Sequence, residues 1–307
     1  MSNPENPINP TVELWSSVSK LFFTILAAWF LSNFIAVAVA LPMFDFSLPA
    51  MQTFLENPLI YPQYRMAMMQ IQGIISVCTF VAAPMFYLKY LDNEAFSVKI
   101  NQHENQEINP LLWILTPLIV IGFMPIDVWI VEWNQAVVLP EIFKNIEIWA
   151  QAQEKLGQEL TKYLTSFDNI VEFLAAIVTL AIVPAIGEEL LFRGLLQNKI
   201  ELLAKNKHIA IWIAAFIFSF IHFQFYGFVP RLLLGALFGY LYMWSGNLTI
   251  PILAHFVNNG FTLLLLYSGI NLEGTMPIEI TVLCLVLVIS FLFIFKKIIT
   301  VDKTIPN

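Results

Sequence analysis

Apolar residues along this chain gather into long uninterrupted runs, where a soluble helical protein would show alternating faces. A hydrocarbon core about 30 Å thick is crossed by about 20 helical residues. Eight runs approach or reach that length: 21–41, 66–88, 111–131, 170–187, 209–226, 232–244, 250–268 and 277–295. The sixth is short. The pattern predicts an all-α fold, a polytopic membrane helix bundle of about eight transmembrane helices. Residues 1–20 read as a polar N-terminal segment. They hold Glu5 and Glu13 and no basic residue before Lys20, so the first span is expected to be retained and not cleaved as a leader.

One stretch breaks the pattern. Between 132 and 169, Ile142, Ile146, Trp149, Leu156, Leu160 and Tyr163 fall at helical spacing among mixed charges. This predicts an extramembrane amphipathic helix, read as a lid packed on the bundle or as a substrate gate. From Glu141 to Leu164 it carries four acids and three bases, so it lacks the basic excess of a helix drawn to anionic lipid. No repeat, linker or low-complexity tract divides the remainder, and 21–307 reads as one membrane domain.

Composition narrows the class. The 307 residues are 58% hydrophobic and 12% charged, against about 25% charged in soluble domains, with a mean hydropathy of +0.73. A net charge of -7 excludes a nucleic-acid partner, which requires clustered positive charge. Cys78 and Cys284 lie in apolar runs and form neither a disulfide framework nor a CxxC site. If all eight runs cross, ten basic residues share the side of the termini: Lys20, Lys89, Lys99, Arg193, Lys199, Lys205, Lys207, Lys296, Lys297 and Lys303. Five lie opposite: Arg65, Lys144, Lys155, Lys162 and Arg231. The positive-inside rule then puts both termini in the cytoplasm.

A charged group at mid-bilayer costs about 2.5–3.5 kcal/mol even on the lenient scale, so the few polar residues in these runs carry information. Glu189 and Arg193 are i and i+4 with the acid first, the favourable order for an ion pair. Glu188 is turned by about 100° and must look to another helix. If the chain turns near Asn206, Glu188 and His222 lie about 27 and 24 Å along neighbouring antiparallel helices, at similar depth. His255 and Asn259 share one face of the seventh run. His255 reaches the same level if runs six and seven form a recessed hairpin. The plainer readings are a wet helix end for the glutamates and a hydrogen-bonded core role for each histidine. Asp127, near a span end after Pro117 and Pro125, is expected to be solvated at the boundary.

Glu188-Glu189-x-x-Phe192-Arg193-Gly194, Phe218-x-x-x-His222 and His255-x-x-x-Asn259 occur in that order on successive apolar segments. Together they resemble the motifs of the CAAX-processing and bacteriocin-processing (CPBP) family of intramembrane endopeptidases. The likeness covers about 170–260, the motif-bearing core of what then reads as an intramembrane protease domain. It implies a polar chamber open to the membrane, in which a peptide bond is hydrolysed near the bilayer surface, in a bacterial-type cytoplasmic membrane. The partners expected are the lipid bilayer and a membrane-associated or lipid-modified peptide or protein.

Chemistry suggests matching roles. A desolvated carboxylate is a good proton acceptor, which suits Glu188 as general base for water, with His222 orienting it. His255 and Asn259 are placed to donate to an oxyanion. Glu189 with Arg193 supports them structurally. No cofactor is favoured. Zn²⁺ remains an alternative, since Glu188, His222 and His255 form a two-His, one-carboxylate set, although the HExxH geometry of familiar zinc proteases is absent. Two other functions stay open: a non-proteolytic membrane scaffold or bacteriocin self-immunity protein, and a proton-coupled transporter, against which the lack of a repeat weighs.

Overall fold

The computed structural model describes residues 10–92, 101, 108–270 and 274–302. Among the described residues there are ten principal helices, several short 3-10 turns and no strand. The helices are α1 (Pro10–Ala40), α2 (Leu48–Glu56), α3 (Pro62–Tyr90), α4 (Pro110–Gln135), α5 (Lys144–Thr165), α6 (Ile170–Ala204), α7 (Lys207–Phe220), α8 (Phe228–Ser245), α9 (Thr249–Tyr267) and α10 (Ile278–Asp302).

Six of them, α1, α3, α4, α6, α9 and α10, are long and apolar enough to cross a membrane. The eight expected spans thus narrow to six by length and composition. The other two runs became α7, an apolar helix of 14 residues, and α8, whose first turn carries Arg231. Large apolar side chains stand exposed along α1 (Phe22, Phe30, Phe34) and α10 (Leu283, Val286, Phe293). Such surfaces suit lipid and not water, and the chain is an integral membrane protein.

Residues 10–20 depart from the expected polar segment, because they form the first three turns of α1 itself, with Leu14 and Ser17 buried. Residues 1–9 lie outside the described part. α2 was not anticipated. Its nine residues are started by Ser47, which accepts from the Ala50 N–H, and it buries Met51 and Phe54 between α1 and α3.

α6 and α9 occupy the middle of the bundle. α6 packs on α3, α7 and α9, while α4, α8, α9 and α10 share a second core around Ile119, Phe238, Leu241 and Ile250. Two prolines shape the central contact. A proline has no N–H, so Pro84 and Pro184 withdraw the α-helical donors of the Phe80 and Leu180 carbonyls. The backbone widens into π turns just before each, at Val77–Ala82 and Ile177–Ile182. Gly187 then lets α6 settle on the first of these turns. A Cβ there would stand 2.7 Å from Phe80 Cβ and 3.1 Å from the Phe80 carbonyl carbon.

Buried ion pairs tie the elements together. Lys199 of α6 reaches Asp92 at 2.7 Å and Ser17 of α1 at 2.9 Å, beside the Tyr87 ring. Arg65 of α3 bonds Asp168 at 3.0 Å and Glu172 of α6 at 2.5 Å, and lies over Tyr163 of α5.

The amphipathic helix exists as α5, and its apolar stripe is divided between two surroundings. Ile142, just before it, and Ile146, Trp149 and Leu156 are exposed, while Glu147, Ala150, Tyr163 and Leu164 are buried. Its inner side meets a polar region, where Gln224 lies directly over Gly157. The first four stripe residues therefore face outward, while Leu160 and Tyr163 pack on the bundle core.

Gly187→Ala should lower the thermal midpoint in detergent by the equivalent of about 1–3 kcal/mol, because backbone and not a movable side-chain tip blocks the new methyl. Gly260→Ala is the control. Its Cβ would meet the Phe256 ring at 3.5 Å, an ordinary contact, and the midpoint should stay unchanged.

Candidate active site

The site grows from one buried carboxylate on α6. Glu189 is fully enclosed, and its Oε1 accepts from Arg193 Nη1 at 2.6 Å, the i to i+4 pair the sequence predicts. The same Oε1 accepts from His255 Nδ1 of α9 at 2.8 Å. A carboxylate only accepts, so Nδ1 of His255 carries the hydrogen, and Nε2 faces the other way. There it stands 3.9 Å from Oε2 of Glu188. Of the two glutamates, Glu188 is the one left reachable, its side chain 13% exposed against 0% for Glu189.

Aromatic rings seat the charged groups. The Arg193 guanidinium lies 4.9 Å from the Phe218 ring and 5.5 Å from the Phe238 ring, and its Nη2 donates to the Gly235 carbonyl at 2.9 Å. His255 lies against the same two rings, with centroids 6.1 and 5.5 Å away. Phe218, the first residue of the second motif, thus also touches the histidine of the third. His222 packs on it with centroids 5.3 Å apart.

His222 is not within a span. α7 ends at Phe220, and His222 occupies the turn that follows, before Phe223 takes a positive φ of 53°. Phe223, Phe225 and Tyr226 are apolar enough to extend the run, which is why it reads as continuous membrane helix in the sequence. Nδ1 of His222 meets its own Phe218 carbonyl at 2.7 Å, which makes that nitrogen the donor and leaves Nε2 as acceptor. Asn134, at the end of α4, secures the loop beyond it. Its amide donates to the Phe225 carbonyl at 3.2 Å, and its oxygen accepts from the Val229 N–H at 3.0 Å.

Asn259 lies one turn beyond His255, as its spacing requires. Its amide donates to the Leu180 carbonyl at 3.0 Å, the acceptor deprived of its helical donor by Pro184. Its oxygen accepts from Asn258 at 3.0 Å. One N–H of Asn259 is left over. The structure thus brings Glu188, Glu189, Arg193 and His255 into one contact group, places His222 against the Phe218 ring that this group also touches, and sets Asn259 on the π turn of Leu180.

Several participants escape sequence reasoning. Pro184 is visible as a proline inside an apolar run, and that alone flags an orphaned carbonyl needing a partner. Asn134 gives no signal. Arg231, which donates to Gln224 at 2.6 Å, acts electrostatically on Glu188, Glu154 of α5 and Asp127 of α4. Asp127 is accordingly not a solvated boundary residue, since its Oδ1 is enclosed and has no hydrogen-bond partner among the described residues.

Among the described residues no three His, Cys, Asp or Glu side chains are grouped closely enough to hold a metal ion. Glu188, His222 and His255 do not form such a group in this arrangement.

Residues 170–261 match the family described as type II CAAX prenyl endopeptidase Rce1-like. That segment is under half of the chain. It holds all six residues singled out above: Glu188, Glu189, Arg193, His222, His255 and Asn259. Over 85 residues the chain is also 36% identical to YpbD of Bacillus subtilis (strain 168), described as uncharacterized. That match takes in 26% of this chain and 40% of the relative's length. No solved structure gives a significant match.

Within the matched segment, Glu189→Ala leaves Arg193 buried without its carboxylate and should cost about 3–5 kcal/mol of stability, read from unfolding in detergent. Adding Arg193→Met should recover part of the loss. A double variant as unstable as the single one would show that the two side chains do not act as a pair.

Proposed function

We propose that this protein is an intramembrane endopeptidase, CAAX-protease-like, that hydrolyses a peptide bond of a membrane-associated or lipid-modified substrate without a metal. The observation that supports it is the geometry of Glu188. It is a carboxylate in the matched segment that keeps an accessible face, while its neighbour Glu189 is enclosed, with its Oε1 bonded to Arg193 and His255.

In this reading Glu188 takes a proton from water as the oxygen attacks the scissile carbonyl carbon, with His222 Nε2 accepting a hydrogen bond from the same water. Protonated on both nitrogens, His255 donates from Nδ1 to Glu189 and from Nε2 to the oxyanion, joined by the remaining N–H of Asn259. The charges of Glu188, Glu189, Arg193 and His255 then sum to zero, the state that a low-dielectric interior favours. Collapse of the tetrahedral intermediate breaks the C–N bond, and Glu188 returns its proton to the leaving amine. Glu189 is a positioning residue here, since it holds the Nδ1–H of His255 and so fixes the orientation of the ring. The substrate approaches from the bilayer, and both termini of the protein face the cytoplasm of a bacterial-type cell.

A scaffold or self-immunity role would need the same fold and partner surface but no proton acceptor at Glu188. Purified protein in lipid nanodiscs, given a library of membrane-anchored peptides, separates the readings. Glu188→Gln should lower cleavage by about 10²- to 10⁴-fold with the unfolding midpoint kept, and a zinc chelator should leave the wild-type rate unchanged. Equal cleavage by both proteins would remove Glu188 from the mechanism, and loss with chelator would overturn the metal-free route.

A further inference from the structure

A second feature lies away from these residues, on the outer side of α1 and α3. The two helices touch along one line, with Ser17 Oγ 2.6 Å from Tyr87 OH and Leu21 buried near the same ring. Beside that line they part to leave a groove of about 740 Å³, within the roughly 300–1,000 Å³ of small-molecule sites. It runs from Ser16 to Ile35 on α1, about 28 Å at 1.5 Å per residue, close to the thickness of a hydrocarbon core. Its floor is built from small groups such as Ala28, Ser32, Ala82 and Ala83, and Phe23 and Phe86 stand exposed along it.

Ser16, Ser19 and Lys20 gather at one end of the groove, and the Lys20 ammonium makes no ion pair among the described residues. Further along, Thr24 and Ser32 donate their hydroxyls to the Lys20 and Trp29 carbonyls of α1 itself, which leaves that stretch apolar in character. We propose that this groove binds an anionic glycerophospholipid, with an acyl chain along α1 and α3 and its phosphate at Lys20. Charge complementarity supplies the head-group end, and the amphiphilic order of the lining matches a lipid's own order of head and tail. Width argues against the other occupant, a transmembrane helix of a partner or second copy. A crease between two touching helices admits a hydrocarbon chain, whereas a helix of about 10–12 Å diameter would rest on the phenylalanine rims and leave the floor empty. This site is independent of the catalytic reading.

Native mass spectrometry of the purified full chain, after exchange into detergent with equal phosphatidylglycerol and phosphatidylcholine, tests it. Wild type should retain phosphatidylglycerol about fivefold over phosphatidylcholine, the preference that one lysine near an anionic head group supplies. Lys20→Gln should bring the ratio to about one. Ala28→Trp, which fills the groove floor, should abolish retention of both lipids, with the unfolding midpoint checking that each variant folds. Equal retention of the two lipids by wild type, or retention that survives Ala28→Trp, would overturn the site. So would a wild-type dimer made monomeric by Ala28→Trp without any change in lipid, since a helix would then be the occupant.

Discussion

Glu189 is the interaction on which the active region depends. A carboxylate with no exposed surface, in a protein set in hydrocarbon, persists only if its charge is met, and here Oε1 takes every hydrogen bond while Oε2 has no partner among the described residues. Arg193 meets it from the same helix and His255 from α9, so a single oxygen joins α6 to α9. Arg193 then carries the link to α8 through the Gly235 carbonyl. Three helices are thereby fixed in register by one ion, and His255 is held with Nε2 toward Glu188. A buried pair of this kind adds little to stability against an apolar replacement. What it supplies is orientation, which hydrolysis demands and hydrophobic packing alone would leave loose.

A second constraint is covalent. Pro184 lies four residues after Leu180 and four before Glu188, on the helix that carries the acids. By removing one N–H it opens a π turn and leaves a carbonyl for Asn259 to bond, which draws α9 onto α6 one turn from His255. Pro84 does the same to α3, and Gly187 fits α6 against the widened turn at Phe80. Straight helices would have kept their hydrogen bonds to themselves, and a membrane interior offers no water to fill such gaps. The defects in helical bonding are thus what binds the helices together.

This explains which parts are legible in the chain. Helix content followed from run length, because hydrocarbon admits little else, and the Glu189–Arg193 pair followed from i to i+4 spacing on one helix. Level placement of His255 with the glutamates was reached through the short hairpin at Gly246, where a left-handed residue closes α8. Other features depend on partners distant in sequence. His222 looked helical because Phe223, Phe225 and Tyr226 are apolar, yet Asn134, almost ninety residues earlier, holds the loop that ends the helix. The division of the α5 stripe between core and surface was hidden for a related reason. The stripe is real, but periodicity tells only that a helix has two sides, not which one meets protein.

Orientation of α5 follows from what lies beneath it. The region under its inner side holds Arg231, Gln224 and, through Arg231, Glu188 and Asp127, so an apolar face there would strand those groups without partners. Glu154 faces that charge instead, and Gly157 leaves room for Gln224. Turned outward, Ile146, Trp149 and Leu156 lie clear of that charge on the protein's surface. The outward turn of this part of the stripe thus follows from the polar groups beneath the helix. Arg65 fixes the far end of the arrangement, binding Glu172 and Asp168 beneath the Tyr163 ring, so that α5 is anchored at its C-terminal turn beside the start of α6.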